Sequence, residues 1–429
     1  MDKVYLVVDI GTSYIKCGCV DSYLNIIARH QRVFPMTQNQ NNYELDFNLF
    51  YDTTTDLLKE CLSDVVVKSS EVEALLITSQ AQTFAAVDEN FQPLSEGIVW
   101  LDERAVKESE YLKAELSEFP ASSGFLFPMS SLYVSKLLWL KNNKPDIFNK
   151  AAAFPLINEF LVRKLTDVFF SDTTSFGMSG MYDFRYESLN KKALSILELK
   201  EKHFPVIRNA ATKGELISEE IKEKWRLKKR FPVFLCGNDQ GASACGAGLK
   251  KPGDLNINFG TAMVFYSVTE KLTTDLTSEQ IAGKYPLGNS YFLLNYESDY
   301  GIQIRTLKDK FFKNDSYDKL FQTYQFYPNA KEQIPDVNIH EMHISKIEAQ
   351  KYTAGVIKYY LKRLKIHLDQ IQKIVTIKNI TLSGGMMKSE VWLNILSDNL
   401  KIPFTLNNRA EAGLLGAIDI YSANRGQND

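Results

Sequence analysis

The chain has 429 residues, of which 45% are hydrophobic, 24% charged and 12% aromatic, with 13 Pro and 22 Gly. That apolar content can offset the entropy of folding, which excludes global disorder and collagen-like repetition. Lys and Arg total 50 and Asp and Glu total 52, a net charge of −2, so no bulk field draws the chain to nucleic acid or to anionic lipid.

The length predicts two domains with a cleft between them. Met1 to Ile10 carries one early Lys and an apolar run broken by Asp9, so it reads neither as a signal peptide nor as a membrane span, and no later run reaches the roughly 18 apolar residues a span needs. Leu6 to Asp21, LVVDIGTSYIKCGCVD, reads as a buried strand, a tight turn at Gly11, Thr12 and Ser13, and a second strand: a hairpin. Helical periodicity follows at Leu57 to Val67, then a strand at Ala74 to Thr78 (ALLIT) and another at Gly97 to Trp100 (GIVW). Tyr133 to Asn142 and Phe160 to Leu165 read as helices.

A composition break at Lys222 to Arg230, closely followed by Pro232, predicts the crossing between lobes, giving domains 1–228 and 229–429. Ile257 to Thr269, INFGTAMVFYSVT, then repeats the opening hairpin, with Gly260, Thr261 and Ala262 at its turn and the two turn glycines 249 positions apart. Ala354 to Ile374 reads as a long helix whose Lys358, Lys362, Arg363 and Lys365 form its solvated face, and Asn379 to Leu382 (NITL) as a last strand. Strands alternating with helices define an α/β class, and a matched hairpin opening each half predicts duplicated lobes. The cysteines, Cys17, Cys19, Cys61, Cys236 and Cys245, never fall in C-x-x-C spacing, which predicts reduced core thiols and a cytoplasmic setting.

Neither G-x-x-x-x-G-K-[ST] nor a G-x-G-x-x-G after a strand occurs. The hairpin turns offer another phosphate cradle, because Gly11 and Gly260 let backbone N–H groups approach an anion and Thr12, Ser13 and Thr261 add hydroxyls. Asp9, just before the first turn, suits a magnesium ion set between carboxylate and phosphate, although an Asp capping its own turn is the plainer explanation of that residue alone. Phe231 to Cys236 is an apolar strand ending at Gly237-Asn238-Asp239-Gln240 before a helix of small residues, which puts Asp239 at a strand's carboxyl edge, where it could accept a hydroxyl proton. An ordinary helix cap explains it equally well.

Ser79, Gln80 and Gln82 follow the ALLIT strand, and Trp100, Asp102 and Arg104 follow GIVW with the last two on one face of an extended segment. Amides, a carboxylate, a guanidinium and an indole together suit a small polyhydroxylated ligand. Ser383-Gly384-Gly385 precedes a helix bearing Trp392, a strand-to-helix turn with room for a flat base, while Met386-Met387 reads as packing. His340-Glu341-Met342-His343 lacks the spacing of a zinc helix.

In this order these segments resemble the FGGY carbohydrate kinases of the actin-like ATPase superfamily, over nearly the whole chain. DIGTS (Asp9 to Ser13) resembles the family's first phosphate motif, SQAQT with WLDER (Trp100 to Arg104) its sugar-contacting pair, and SKLLWL from Ser135 a family helix. LINEFLVRKLTD followed by SDTTS resembles the segment that closes the first lobe. GNDQG resembles the motif of the catalytic Asp, NFGTA the second phosphate motif, and SGGMMKSEVW with Glu411 to Ala417 the adenosine-binding end. The resemblance implies two duplicated actin-like, ribonuclease H-like lobes around a cleft, and transfer of the ATP γ-phosphoryl group to a hydroxyl of a sugar or polyol, with magnesium.

It implies Asp239 as catalytic base, and Gln80, Gln82, Trp100, Asp102, Arg104, Asp239 and Gln240 around the acceptor. Gly11, Thr12, Ser13, Lys16, Gly260, Thr261, Ala262, Gly384, Gly385 and Met386 fall around ATP, and Asp9 and Asp239 near the metal. Ala81 stands where Met or Arg is common, Gln82 where His or Glu is common, and the Asp239-Gln240 pair is similar to glycerol kinases. The expected acceptor is a ketose such as xylulose or a related pentulose. Glycerol or another short polyol is the alternative acceptor, and an inactive nucleotide-binding regulator the alternative of another class. The chain is short for the family, and the missing length falls between Thr269 and Thr353. The oligomeric state stays open, a homodimer included.

Overall fold

The computed structural model describes residues 3–40, 42–64, 71–335, 339–407 and 409–425; the side chain of His340 lies outside them, as do residues 65–67 at the end of the first expected helix. The first hairpin is present: β1 (Lys3–Ile10) pairs antiparallel with β2 (Tyr14–Asp21), which pairs with β3 (Ile26–Val33). On the other side of β1 lie β4 (Glu71–Ser79) and then β5 (Pro232–Asn238), both parallel to it, with a short antiparallel edge strand, Glu215–Leu216, beyond β5. The second sheet repeats this plan. β6 (Asp254–Phe259), β7 (Met263–Thr269) and β8 (Tyr291–Glu297) form the antiparallel part, while β9 (Asn379–Ser383) and β10 (Phe404–Leu406) add in parallel. Its edge strand, Gln280–Lys284, lies beyond β8.

Four of the expected helices form, as Phe47–Ser63, α1 (Tyr133–Asn143), Ile157–Thr166 and Lys346–Gln372. The first begins ten residues before the expected start, because Asp46 caps it by accepting from the N–H groups of Asn48 and Leu49. GIVW contributes only Gly97–Ile98 as strand, since Trp100 onward turns into the cleft wall. Of the basic run on the long helix, Lys358, Lys362 and Lys365 are exposed as expected, but Arg363 is not solvated: its guanidinium is held by Glu279 and Glu297. All five cysteines are free and buried.

The expected crossing near residue 229 is displaced. Residues 232–238 return to the first sheet beside β4, because their apolar side chains are needed to complete it, and the chain leaves for the second sheet only through α2 (Asp239–Gly246). The last helix, α3 (Ala412–Arg425), comes back from β10 to pack on β1, β4 and β5. α2 and α3 thus form a layer shared by both sheets: one apolar cluster contains Val7, Leu76 and Cys236 of the first sheet, Tyr266, Val268 and Phe292 of the second, and Ala242, Ala244, Leu414 and Ile418 of the two helices.

Their contact is backbone on backbone. A Cβ on Gly416 would lie 1.8 Å from the carbonyl oxygen of Ala242, and one on Gly246 would lie 2.0 Å from that of Ala412. Gly416→Val should therefore force the helices apart and destabilise the protein by about 3 kcal/mol, measured by urea unfolding. An unchanged midpoint would mean that the crossing is not close-packed.

Candidate active site

Asp9 is the penultimate residue of β1, directly across from Lys16 of β2. Its Oδ1 is buried with no hydrogen-bond partner, and burial pushes its carboxyl up to about 6, Lys16 pulling against that and Glu411 adding to it. Asp239 is the first residue of α2, where the N-cap is Asn238, whose side chain accepts from Gly241 N–H at 2.7 Å. The bend before it needs Gly237, which has φ +86° and whose Cβ would meet Thr174 Oγ1 at 2.7 Å.

Thr174 also receives Asn238 N–H at 3.2 Å, and is itself held by Asp172, which accepts from the N–H groups of Thr174 and Ser175 at 2.9 and 3.0 Å. The S-D-T-T-S segment therefore buttresses the turn that aims Asp239. Burial, then the neighbouring charge of Asp9, pushes the Asp239 carboxyl up to about 7, against the hydrogen bond it accepts from Gln240 N–H at 2.8 Å. The side chain of Gln240 is exposed.

Around this pair lie the first hairpin turn and the base of the expected acceptor set. Gly11 N–H closes the turn onto Tyr14 O at 3.0 Å, leaving Thr12 and Ser13 at its tip. Thr12 Oγ1 accepts from the indole N–H of Trp100 at 3.1 Å, and Gln80 N–H donates to Ile10 O at 2.7 Å, so phosphate turn and acceptor loops are one construction. Gln80 is 3% exposed, and neither its amide oxygen nor its nitrogen has a partner. Orphaned atoms of this kind suit a polar ligand.

Gln82 has φ +69°, and its Oε1 accepts from Tyr133 N–H at 3.2 Å, which leaves the amide nitrogen as a donor. Asp102 is fully buried and saturated, accepting from Tyr43 N–H at 2.7 Å and from the N–H, Nε and Nη2 of Arg104. Four protein donors thus meet its two oxygens, three of them from Arg104. Arg104 is also paired with Glu44 at 2.9 Å.

The second hairpin turn is tighter, Gly260 N–H donating to Ala262 O at 3.1 Å where Gly11 N–H reaches one residue further along, and Thr261 is exposed. Gly301 N–H donates to Thr261 O at 2.8 Å, and Gly384, at φ +102°, lies so close that its Cβ would sit 2.4 Å from Phe259 O. A Cβ on Gly385 would meet nothing within 4 Å, so that edge is open. Met386 and Met387 pack on the second-lobe core. Trp392 is no platform for a base: it is 1% exposed and stacks on Phe321 at 4.6 Å.

Sequence reading placed Glu411 in the adenosine-binding segment but missed its pairing with both Lys16 at 3.0 Å and Arg29 at 2.8 Å, and it missed Tyr43, Glu44 and Lys136 beneath the acceptor loops. Only Lys136 left a signal, as a cation within the mostly apolar stretch Tyr133 to Leu140.

Two duplicated sheets, a carboxylate at the mouth of the shared helix layer and a wall of amide and guanidinium donors define an enzyme that transfers phosphoryl groups to sugars or polyols. Residues 4–246 match the FGGY family of carbohydrate kinases, N-terminal domain, and the chain belongs to that family. It is 24% identical to a xylulose kinase of Staphylococcus epidermidis over 97% of this chain and 86% of that one, and 22% identical to a gluconokinase of Bacillus subtilis over the same shares. The crystal structure of a xylulose kinase from Rhodospirillum rubrum superposes with a TM-score of 0.89 at 17% identity, covering 97% of this chain and 89% of that one, which establishes the two-lobed fold. Among the described residues no helix is long and apolar enough to cross a membrane.

The raised carboxyls have a measurable consequence. Both bind protons more tightly when folded than in an unfolded chain, so the cost of ionising them is absent below about pH 4, grows as pH rises through the folded values and is complete above about 7. Asp239→Asn removes one of the two charges. In metal-free, nucleotide-free buffer at pH 8 its Tm should exceed that of the parent by about 3 °C, a gap that closes near pH 4. A lower Tm at pH 8 would contradict the crowding of these carboxylates.

Proposed function

We propose that the chain transfers the γ-phosphoryl group of ATP to a hydroxyl of a small ketose, xylulose or a related pentulose, in the cleft above Asp239. The observation that carries this reading is the joining of Asp239 and Asp9 to a donor-rich acceptor wall through the Trp100–Thr12 hydrogen bond. Gln82 and Arg104 present N–H groups, and the unpartnered amide of Gln80 adds a donor and an acceptor, a set matched to hydroxyl and carbonyl oxygens. The nearness in sequence to xylulose kinases agrees with it.

Asp239 takes the proton of the attacking hydroxyl as its oxygen bonds to phosphorus and the bond to ADP breaks. The base need not be strong: in a loose transition state positioning and charge stabilisation supply most of the rate. The N–H groups of the two Gly-Thr turns, at Gly11 to Ser13 and Gly260 to Ala262, hold the phosphates, with Lys16 beside the first. The open edge at Gly384, Gly385 and Met386 takes the adenosine.

The orphaned Asp9 Oδ1 and two uncompensated carboxyls fit a divalent cation, and magnesium held by Asp9 with Asp239 beside it would neutralise phosphate charge. The domains divide the work: the first, running through β5, carries the acceptor wall, and the second carries the nucleotide edge. The reaction suits a cytoplasmic enzyme, since ATP is its donor.

With ATP and magnesium, a panel of xylulose, ribulose, gluconate, sedoheptulose and glycerol should give the highest kcat/KM for a pentulose. Asp239→Asn should cut that turnover roughly a hundredfold or more with ATP binding nearly intact. A preference for glycerol or gluconate would overturn the substrate assignment, and full turnover in the variant would overturn the role of Asp239.

A further inference from the structure

Helix α1 lies directly under the acceptor loops and meets them at three successive positions of one face. At its first turn, Tyr133 N–H donates to Gln82 Oε1 at 3.2 Å. One turn on, Lys136 Nζ donates to two main-chain carbonyls, Gln82 O and Val99 O, each at 3.0 Å. A further turn on, the ring of Trp139 lies 4.9 Å beneath the guanidinium of Arg104. Residues three apart on a helix share a face, so one rigid element touches Gln82, the carbonyl just before Trp100, and Arg104.

Lys136 is the unusual member. It is 0% exposed, and among the described residues its hydrogen bonds go to the neutral oxygens of Gln82 and Val99, Asp102 acting on it across space. Burying an ammonium without a hydrogen-bonded counter-ion is costly, and burial pulls its pKa down to about 7, Arg104 adding to that and Asp102 opposing it. A Met or Leu would pack in that space at lower cost. What such a residue could not do is bind both loops at once through their carbonyls, beside the Phe84–Ile98 bridge and the bond from Trp100 N–H to Thr83 Oγ1 at 3.1 Å, and so meet the carbonyl of Gln82, whose φ is left-handed.

We propose that Lys136 is a positioning residue for acceptor choice, clamping the loops of Gln82 and of Trp100 to Arg104 through the carbonyls of Gln82 and Val99, on a template formed by Tyr133, Lys136 and Trp139. The inference rests on the reading that these loops bind the acceptor. The clamp fixes the distance between the amide nitrogen of Gln82 and the guanidinium of Arg104, and with it which spacing of acceptor oxygens both can meet. Asp239 and the nucleotide edge are not touched by it.

Lys136→Met keeps length and helix propensity while removing the donors. It should raise the acceptor KM about tenfold or more and bring the kcat/KM ratio between the best and second-best sugars of the panel towards one, with the Kd for ADP within about twofold of the parent. Trp139→Leu, which leaves the clamp intact, should raise the acceptor KM several-fold with the same unchanged ADP affinity, and it decides the matter if the Lys136 variant does not fold. Wild-type acceptor KM and selectivity in either folded variant, or parallel losses of acceptor and ADP affinity, would overturn the proposal. Arg104→Met separates the two levels. If it too leaves the acceptor KM unchanged, the acceptor reading itself fails; if it alone raises KM, only the template fails.

Discussion

Two carboxylates that repel one another, Asp9 from the end of β1 and Asp239 from the start of α2, share a half-buried site, and the elements that carry them meet at the helix layer common to both sheets. Neither has the counter-ion that would relax it: Lys16, the nearest cation to Asp9, is shared with Glu411, and Asp239 has only the N–H of its own helix. Such a pair costs folding free energy, and Asp239 stands at the start of α2, whose backbone lies against that of α3. The strain has a chemical use, since a site short of positive charge is ready for a cation and its phosphates.

The duplicated sheets explain where that pair can be. Each begins with a hairpin whose first strand has a parallel neighbour on its other side, and in each the glycine N–H closes the turn and leaves a threonine near its tip. The layer between the sheets is made of residues small enough for backbone contact, and it belongs to neither lobe alone. Asp239 stands at the start of that layer, and Glu411 ties the start of α3 to β2 and β3 through Lys16 and Arg29. The acceptor loops, by contrast, are fixed within the first lobe by hydrogen bonds that do not cross the cleft.

Much of this was legible in the amino-acid order. Hairpins, the parallel strand after each, the long helix and the position of Asp239 at a strand end all follow from local periodicity and turn chemistry, and local signals are what a sequence displays. The boundary was misplaced because Lys222 to Arg230 is polar and breaks a pattern, yet the sheet still lacked the strand that only β5 supplies. Arg363 was read as solvated because nothing local announces that Glu279 and Glu297 face it. That protein donors meet the oxygens of Asp102 is hidden for the same reason: one comes from Tyr43, 59 residues away, beside those of Arg104 two positions on. Contacts between distant segments decide such cases, and the sequence carries no direct trace of them.

The claim on which the rest depends is the electrostatic state of the carboxylate pair. Carbon-13 NMR of aspartate-labelled protein, with Asp9→Asn and Asp239→Asn used to assign the side-chain carboxyl signals, measures it directly. The pair should titrate with apparent values near 6 and 7 in the free protein and shift downward when magnesium and ADP are added. Titration of both groups near 4 without any ligand would show that they are neither buried nor coupled, and would contradict the account.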